Sequence, residues 1–271
     1  MRRHLAALLF AFALVPLPGG ETLLLSSQGT GTQTATTAAS ARVWQGHEAE
    51  YETFIATAPF ERLEDIPLGV THPRRAYFKP GGLAESVAWK VLPMGRPNGY
   101  WESYKSEIAA YALDQRLELG MVPVAVEKRW KNEVGAAILW LAPVRSWKEV
   151  QPLEKPAIWD LQMIRMKMFD NLIGNSDRNL GNLLVDDAWN VFLIDHSRAF
   201  VTTKDLPAKF MHVDRKLWNR MRALDEPALT ACLGPWIDRS AIRAVLARRD
   251  RLGAAIDDLV QKNGDAAVFV D

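Results

Sequence analysis

One cysteine among 271 residues, Cys232, excludes an intrachain disulfide and a Cys-based zinc site. Set among Leu229, Ala231 and Leu233, it reads as a small buried hydrophobe. The five histidines have no H-x-x-x-H spacing, which excludes a zincin-type metal site. An excess of either charge is missing too: 33 Lys and Arg stand against 32 Asp and Glu. No nucleic-acid partner and no polybasic membrane surface are therefore expected. The basic run Arg243 to Arg251 reads as a solvated helix face. The apolar run Leu5 to Leu17 falls short of the roughly 20 residues a membrane-crossing helix needs, so no stable membrane span is expected. No internal repeat is visible.

What is present begins with that short apolar run. Arg2, Arg3 and His4 precede it, and Pro16, Pro18, Gly19 and Gly20 break and end it. Residues 1–20 thus read as a secretory signal, making the protein exported (periplasmic or secreted), with the cytoplasm as the alternative. Ser26 to Ser40 is built of Ser, Thr, Gly, Gln and Ala with almost no large apolar residue. Such a segment buries too little to order itself, so 21–42 reads as a flexible linker and folding starts near Val43.

In the first folded half, 43–142, Pro67 to Thr71 and Arg74 to Phe78 read as extended chain. Lys79-Pro80-Gly81-Gly82 is a turn, and Ser86 to Leu92 a returning strand. Pro93 to Tyr100 is a Gly- and Pro-rich loop. Helical spacing runs from Trp101 to Leu119, with Gly120 as a stop. Val122 to Val126 and Ala136 to Leu141 follow as strands, so this half is a small sheet with one helix against it. The second half, 143–271, is mainly helical. Ile158, Leu161, Ile164, Met168 and Leu172 share one face of a helix stopping at Gly174. A hairpin pairs Leu183–Val185 with Val191–Ile194, and helices near 216–224, 227–233 and 239–262 complete the chain.

Between that helix and hairpin lies Gly174-Asn175-Ser176-Asp177-Arg178-Asn179-Leu180-Gly181-Asn182, and Asp195 ends the second hairpin strand. A D-x-x-x-x-N spacing followed by a strand-end Asp supplies what phosphoryl transfer requires. One carboxylate orients the attacking hydroxyl; an amide oxygen and a second carboxylate hold metal on ATP. Asp177 would be the base, and Asn182 and Asp195 the ligands of Mg²⁺ or Mn²⁺. The sheet half should add a phosphate-contacting cation. Lys90, in Val87-Ala88-Trp89-Lys90, occupies a strand position like that of the V-A-I-K lysine. Glu107 on the next helix would pair with it, and Gly81 and Gly82 would form the turn over the phosphates. Duller readings exist for each: Lys90 as an edge-strand residue whose amine reaches water, Glu107 as a surface partner of Lys105 or Arg116, and Gly81-Gly82 as a plain hairpin turn.

Asp170 to Phe200 resembles the catalytic segment shared by phosphatidylinositol 3-/4-kinases, HipA-type bacterial kinases and the secretory-pathway (Golgi casein kinase-like) kinases. Their loop reads roughly N-x-D-R-H-x-x-N, with a later I-D-x-G or I-D-H-S. Glu107-Ile108-Ala109-Ala110-Tyr111-Ala112-Leu113-Asp114 is similar to the E-I-A-A-F-x-L-D helix of the secretory group, and Val122-Pro123 to the V-P after it. The resemblance covers about Leu68 to Phe200. It implies an α+β, bilobal protein-kinase-like fold using ATP and a divalent metal, and gives Asp177, Glu107, Asn182 and Asp195 the roles above. Three positions depart from it. Asn179 stands where the families have His, and His196-Ser197-Arg198 replaces a D-x-G turn. Phe78-Lys79-Pro80 resembles the secretory F-K-P, so Lys79 competes with Lys90. Lys90 is preferred because Lys79 opens a turn where no strand would hold it. The expected activity is transfer of the γ-phosphoryl of ATP to a hydroxyl, first of a protein Ser or Thr. A small-molecule or lipid hydroxyl is the enzyme alternative, and a nucleotide-binding pseudokinase or scaffold the non-catalytic one.

Overall fold

A short helix outside the expected elements precedes the first strand. In the computed structural model, which describes residues 40–66, 73–96, 99 and 101–271, helix α1 spans Glu48–Thr57 and buries Tyr51 and Ile55. The expected signal at 1–20, the linker up to 39 and the extended segment at 67–71 lie outside the described residues. Packing starts slightly earlier than Val43: Ala41 is buried, and its N–H donates to Asp186 Oδ2 at 2.9 Å.

After α1 come β1 (Arg62–Asp65), β2 (Arg74–Tyr77) and β3 (Ser86–Lys90), then helix α2 (Tyr104–Arg116), β4 (Ala125–Trp130) and β5 (Glu133–Leu139). Among the described residues these strands form one antiparallel sheet in the order β1-β2-β3-β5-β4. The strand expected at 122–126 begins later, because Asp114 captures the N–H groups of Gly120, Met121 and Val122 and turns the chain tightly after α2. Burial pushes that carboxyl up to about 6, against the pull of those donors. Helix α2 lays Ile108, Ala109 and Leu113 into the core, and Tyr111 Oη donates to Glu52 of α1 at 2.8 Å. Gly135 lets β5 close on the end of β3. A Cβ there would lie 2.2 Å from the carbonyl oxygen of Lys90, a contact only glycine avoids.

Lys128 of β4 fastens α1 to this sheet. Its buried amine donates to the carbonyls of Ile55 (2.9 Å), Ala56 (3.0 Å) and Ala58 (2.7 Å), which a helix end leaves without partners. The rings of Phe60 and Phe78 flank the cation. Lys128→Met is expected to lower stability by about 1–3 kcal/mol, since it strands buried acceptors. Urea denaturation checks this, and an unchanged midpoint would show the cap to be idle.

The second half opens with β6 (Arg145–Ser146) and α3 (Trp147–Val150), followed by the long helix α4 (Ile158–Ile173). The buried face of α4 keeps Met168 and Leu172 of the expected one, with Leu161 and Ile164 half-buried, and is broader than expected. Trp159, Gln162, Met166, Phe169 and Asp170 point inward, while Ile158 is exposed. Polar side chains take inward positions because each has a partner: Gln162 Oε1 accepts from Val191 N–H, and Asp170 accepts from Asn175 and Arg178. Gly174 ends α4 in the left-handed region, φ +68°.

The expected hairpin is present as β7 (Leu183–Val185) and β8 (Val191–Leu193), with Leu183 opposite Leu193; β6 extends it to three strands. Trp44 packs on Phe192 of β8 with ring centroids 5.8 Å apart. Next come β9 (Val213–Asp214), α5 (Arg215–Arg222), α6 (Glu226–Leu233), α7 (Arg239–Asn263), α8 (Asp265–Val268) and β10 (Phe269–Val270). Helices α5, α6 and α7 each start on an Asp N-cap: Asp214, Asp225 and Asp238. Cys232 is half-buried, its thiol on the carbonyl of Ala112.

The basic run on α7 is not wholly solvated. Arg248 is fully buried and donates to the carbonyls of Leu172, Val201 and Thr203, locking α7 to the end of α4. A Cβ on Gly174 would sit 2.8 Å from its guanidinium carbon. Backbone carbonyls of a helix end and a loop can hold a buried arginine, and the pattern of charges along the sequence does not show it.

Candidate active site

Lys90 ends β3, a central strand, and its amine is buried rather than turned to water. It donates to Glu107 Oε1 at 2.6 Å and to Asp195 Oδ1 at 2.8 Å. Burial by itself would push the amine down. The charges of Glu107 and Asp195 outweigh that and raise it above the ordinary lysine range, so it stays protonated. Glu107 is equally buried, which opposes ionisation. Lys90, and then contacts from His196, hold it well below the usual carboxylate range. The surface reading of Glu107 is thus replaced by a buried ion pair. Lys79 is exposed at the far end of the sheet.

Gly81 and Gly82 do not join this group. They sit in the turn between β2 and β3, ahead of Ser86, whereas Lys90 closes the strand. Four extended steps separate Ser86 from Lys90, about 13 Å of chain. The end of the sheet carrying Lys90 is the one where Asp65 pairs with Arg74 and Arg74 with Trp89, the opposite end from this turn. A Cβ on Gly82 would lie 2.5 Å from the Phe54 ring, so close packing against α1 accounts for this glycine.

Between α4 and β7 the chain forms a loop ending in a single 3₁₀ turn at Leu180–Asn182. Asp177 sits on this loop with its side chain 40% exposed. Asn182 is buried, and its Nδ2 donates to the carbonyl of Asp177 at 3.2 Å. Asp195 lies just beyond β8 with φ +61°, a left-handed conformation that costs energy in a non-glycine residue and that tertiary contacts must hold. Ser197 Oγ and Lys90 both donate to its Oδ1.

Arg178 organises this loop. Its Nε and Nη2 bond both oxygens of Asp170 at 2.9 and 3.0 Å. Nη1 reaches the carbonyls of Asn182 (2.9 Å) and Ile194 (2.8 Å), and Nη2 meets His196 Nε2 at 2.9 Å. All the N–H donors of the guanidinium are used. Because an arginine donor faces Nε2, the His196 ring is neutral with its proton on Nδ1. His196 also donates its backbone N–H to Glu107 Oε2 at 2.9 Å. One connected set of contacts thus runs from Lys90 through Glu107 and His196 to Arg178 and Asp170. Asn179 takes no such part: it is exposed, and its side chain accepts from Gly181 N–H.

Sequence comparison finds no matching family model and no matching curated protein. The fold, however, has known counterparts. A Golgi casein kinase with Mn/ADP bound superposes with a TM-score of 0.65 at 15% identity, covering 83% of this chain and 79% of that one. Fam20 of hydra, solved with sugar, gives 0.61 at 15% identity over 83% and 92% of the two chains. The proinflammatory kinase CtkA of Helicobacter pylori gives 0.51 at 13% identity over 78% and 97%. The chain has a kinase-like fold. In this kinase-like fold β1 to β5 and α2 form the sheet lobe, and α4 to α8 with the β7–β8 hairpin form the helical lobe. It is the expected α+β, bilobal arrangement, with α1 as an added helix on the sheet lobe.

The sequence had assigned no role to Arg178, Asp170 or His196. Arg178 carried a signal, since it belongs to the Asp-Arg pair of the loop. Asp170 carried none: it lies on a helix, and only the turn back of the loop brings it to Arg178. Among the described residues no cluster of three His, Cys, Asp or Glu forms a metal cage. Asp195 and the amide oxygen of Asn182 fit a more open site, of the kind in which Mg²⁺ takes one or two side chains and completes its shell with phosphate oxygens and water.

Proposed function

We propose that this chain is an ATP-dependent kinase that transfers the γ-phosphoryl group to a hydroxyl, with protein Ser or Thr as the acceptor class. The observation that carries the reading is the buried Lys90 amine bonded at once to Glu107 on α2 and Asp195 after β8. A permanently charged lysine fixed between lobes, beside a carboxylate and an amide of metal-binding type, is the positioning and charge-stabilising apparatus phosphoryl transfer depends on. In this reading Lys90 contacts the phosphates, Glu107 holds Lys90, and Asp195 and Asn182 hold the metal. Asp177, the open carboxylate of the loop, orients the acceptor hydroxyl and receives its proton. A divalent ion at Asp195 and Asn182 would neutralise charge on the phosphate oxygens. Mn²⁺ is the first metal to try, because the Golgi casein kinase was solved with Mn/ADP.

The test is ADP formation from ATP with Mn²⁺ or Mg²⁺, with and without phosphate-free casein, following label into the protein acceptor. The parent is expected to form ADP and label casein, and Asp177→Ala to do neither while still binding ATP. If both proteins bind ATP and neither turns it over, the domain is a nucleotide-binding pseudokinase. Turnover that labels no protein moves the acceptor to a small-molecule or lipid hydroxyl.

A further inference from the structure

Glu102 and Arg198 form a second charged pair beside the site, and neither has a part in the roles assigned above. Glu102 is completely buried immediately before α2. Its Oε1 takes two donors from Arg198, Nε at 2.9 Å and Nη2 at 2.7 Å, while its Oε2 is buried without a hydrogen-bond partner among the described residues. The remaining terminal nitrogen of Arg198, Nη1, points the other way and lies 3.2 Å from Asp177 Oδ2.

The segment carrying Arg198 is tied to the start of α2 at neighbouring points as well. Ser103 N–H donates to the carbonyl of Ser197 at 2.9 Å, and Ser106 Oγ to that of Ala199 at 3.3 Å. His196 N–H reaches Glu107 on the same helix. The Arg198 side chain is aimed by Glu102, which precedes α2, whereas Asp177 belongs to the loop of the helical lobe. The Arg198 segment is also held to that lobe, by Phe200 N–H on the carbonyl of Ile173 (2.7 Å) and by Arg178 on that of Ile194 (2.8 Å). Glu102–Arg198–Asp177 is a continuous charged bridge between the start of α2 and the loop.

Magnitudes indicate what this bridge is for. The Arg198–Asp177 contact is partly solvated, with side-chain exposures of 18% and 40%, and such pairs contribute only about 0–1 kcal/mol to stability. Orientation is a different matter. A carboxylate displaced by about 1 Å from its reacting geometry can cost on the order of 100-fold in rate. Asp177 is the most open of the candidate groups, so its direction needs an outside partner.

We infer that Arg198, aimed by buried Glu102, is a positioning residue that orients the Asp177 carboxylate only while α2 is seated. The inference rests on the kinase reading. It adds that the sheet lobe controls Asp177 through a route separate from Lys90 and Glu107.

Arg198→Lys is the informative variant. It leaves Glu102 a cation, so the buried charge keeps its partner, but a single amine cannot span both carboxylates. In the assay above, Arg198→Lys is expected to lower kcat by about 10-fold or more, with the KM for ATP within about twofold of the parent and an unchanged Tm. Glu102→Gln releases Arg198 from the other side and should lower kcat to a similar degree. The double variant should be no slower than the slower single one, because both break one bridge. Multiplicative losses in the double variant, or a parent-like kcat in Arg198→Lys, would overturn the inference. So would a raised KM for ATP with kcat intact, which would make Arg198 a nucleotide contact. An Asp177→Ala protein as active as the parent would instead remove the kinase reading itself, and the bridge with it.

Discussion

Lys90→Met is expected to lose both stability and phosphoryl transfer. The substitution leaves Glu107 buried without a cation, a situation that costs about 3–5 kcal/mol. The lysine reading requires turnover to fall as well, by about 100-fold or more, because a fixed cation facing transferred charge has no substitute in the loop. The two losses separate in the double variant Lys90→Met with Glu107→Gln. Removing both charges should restore most of the stability, since a neutral pair of similar volume often replaces a buried ion pair with little cost, but turnover should stay lost. The linkage signs give a further check. Lys90 is raised in the folded protein, so its contribution is full below the ordinary lysine pKa and fades only as pH climbs through the folded value. Glu107 is lowered, so its contribution is full above the ordinary carboxylate pKa and fades only as pH falls through its folded value. The pair's contribution to the parent's stability should therefore be flat between about pH 5 and about pH 10. In Lys90→Met the buried Glu107, without its cation, takes up a proton more readily, and stability falls as pH rises. Urea denaturation across that window measures it. Parent-like stability and turnover in Lys90→Met would sink the assignment, all the more if exposed Lys79→Ala proved inactive.

Arg178→Lys should be nearly as damaging as removing the side chain, although it keeps the charge. The guanidinium bonds both oxygens of buried Asp170, two loop carbonyls and His196. A lysine amine has three donors at one point and cannot reach acceptors spread around a planar fork. The expected cost is about 3 kcal/mol or more in stability, from a buried carboxylate and carbonyls left short of donors. Turnover should fall along with it, because the carbonyl of Asn182 and the strand end before Asp195 are both held by Nη1. Asp170→Asn provides the complement and should weaken the loop in the same direction. Thermal denaturation and the ADP assay read both effects. Full activity in Arg178→Lys would mean that the loop keeps its shape through other contacts.

Much of the architecture was legible in the chain. Helical spacing marked α2 and α4, Gly174 marked a helix end, and the β7–β8 hairpin appeared with nearly the expected limits. These features are local: a period, a left-handed glycine, a turn of polar residues. The elements missed or shifted depended on distant partners. Helix α1 offers only a short apolar face and is secured by Lys128 from β4, about a quarter of the chain away. Strand β4 starts late because Asp114 holds the preceding turn. The inward face of α4 is broader than expected because Gln162 and Asp170 are satisfied by residues from other elements.

The candidate site divides the same way. The sequence by itself determined which chemical groups are available and in what order: Asp177, Asn182 and Asp195 at a set spacing, with Lys90 and Glu107 ahead of them. Spacing along a loop or strand is a local property, and residue types alone state their charge and donor capacity. Only the tertiary structure decided that Lys90 rather than Lys79 meets Glu107 and Asp195, that Gly81 and Gly82 lie elsewhere, and that Arg178 and Arg198 are fixed beside Asp177. Those outcomes rest on burial and on partners as far as 105 residues apart for Lys90 with Asp195 and 96 for Glu102 with Arg198. A charge becomes locked to one partner when the fold removes water from around both, and no local pattern records where that will happen.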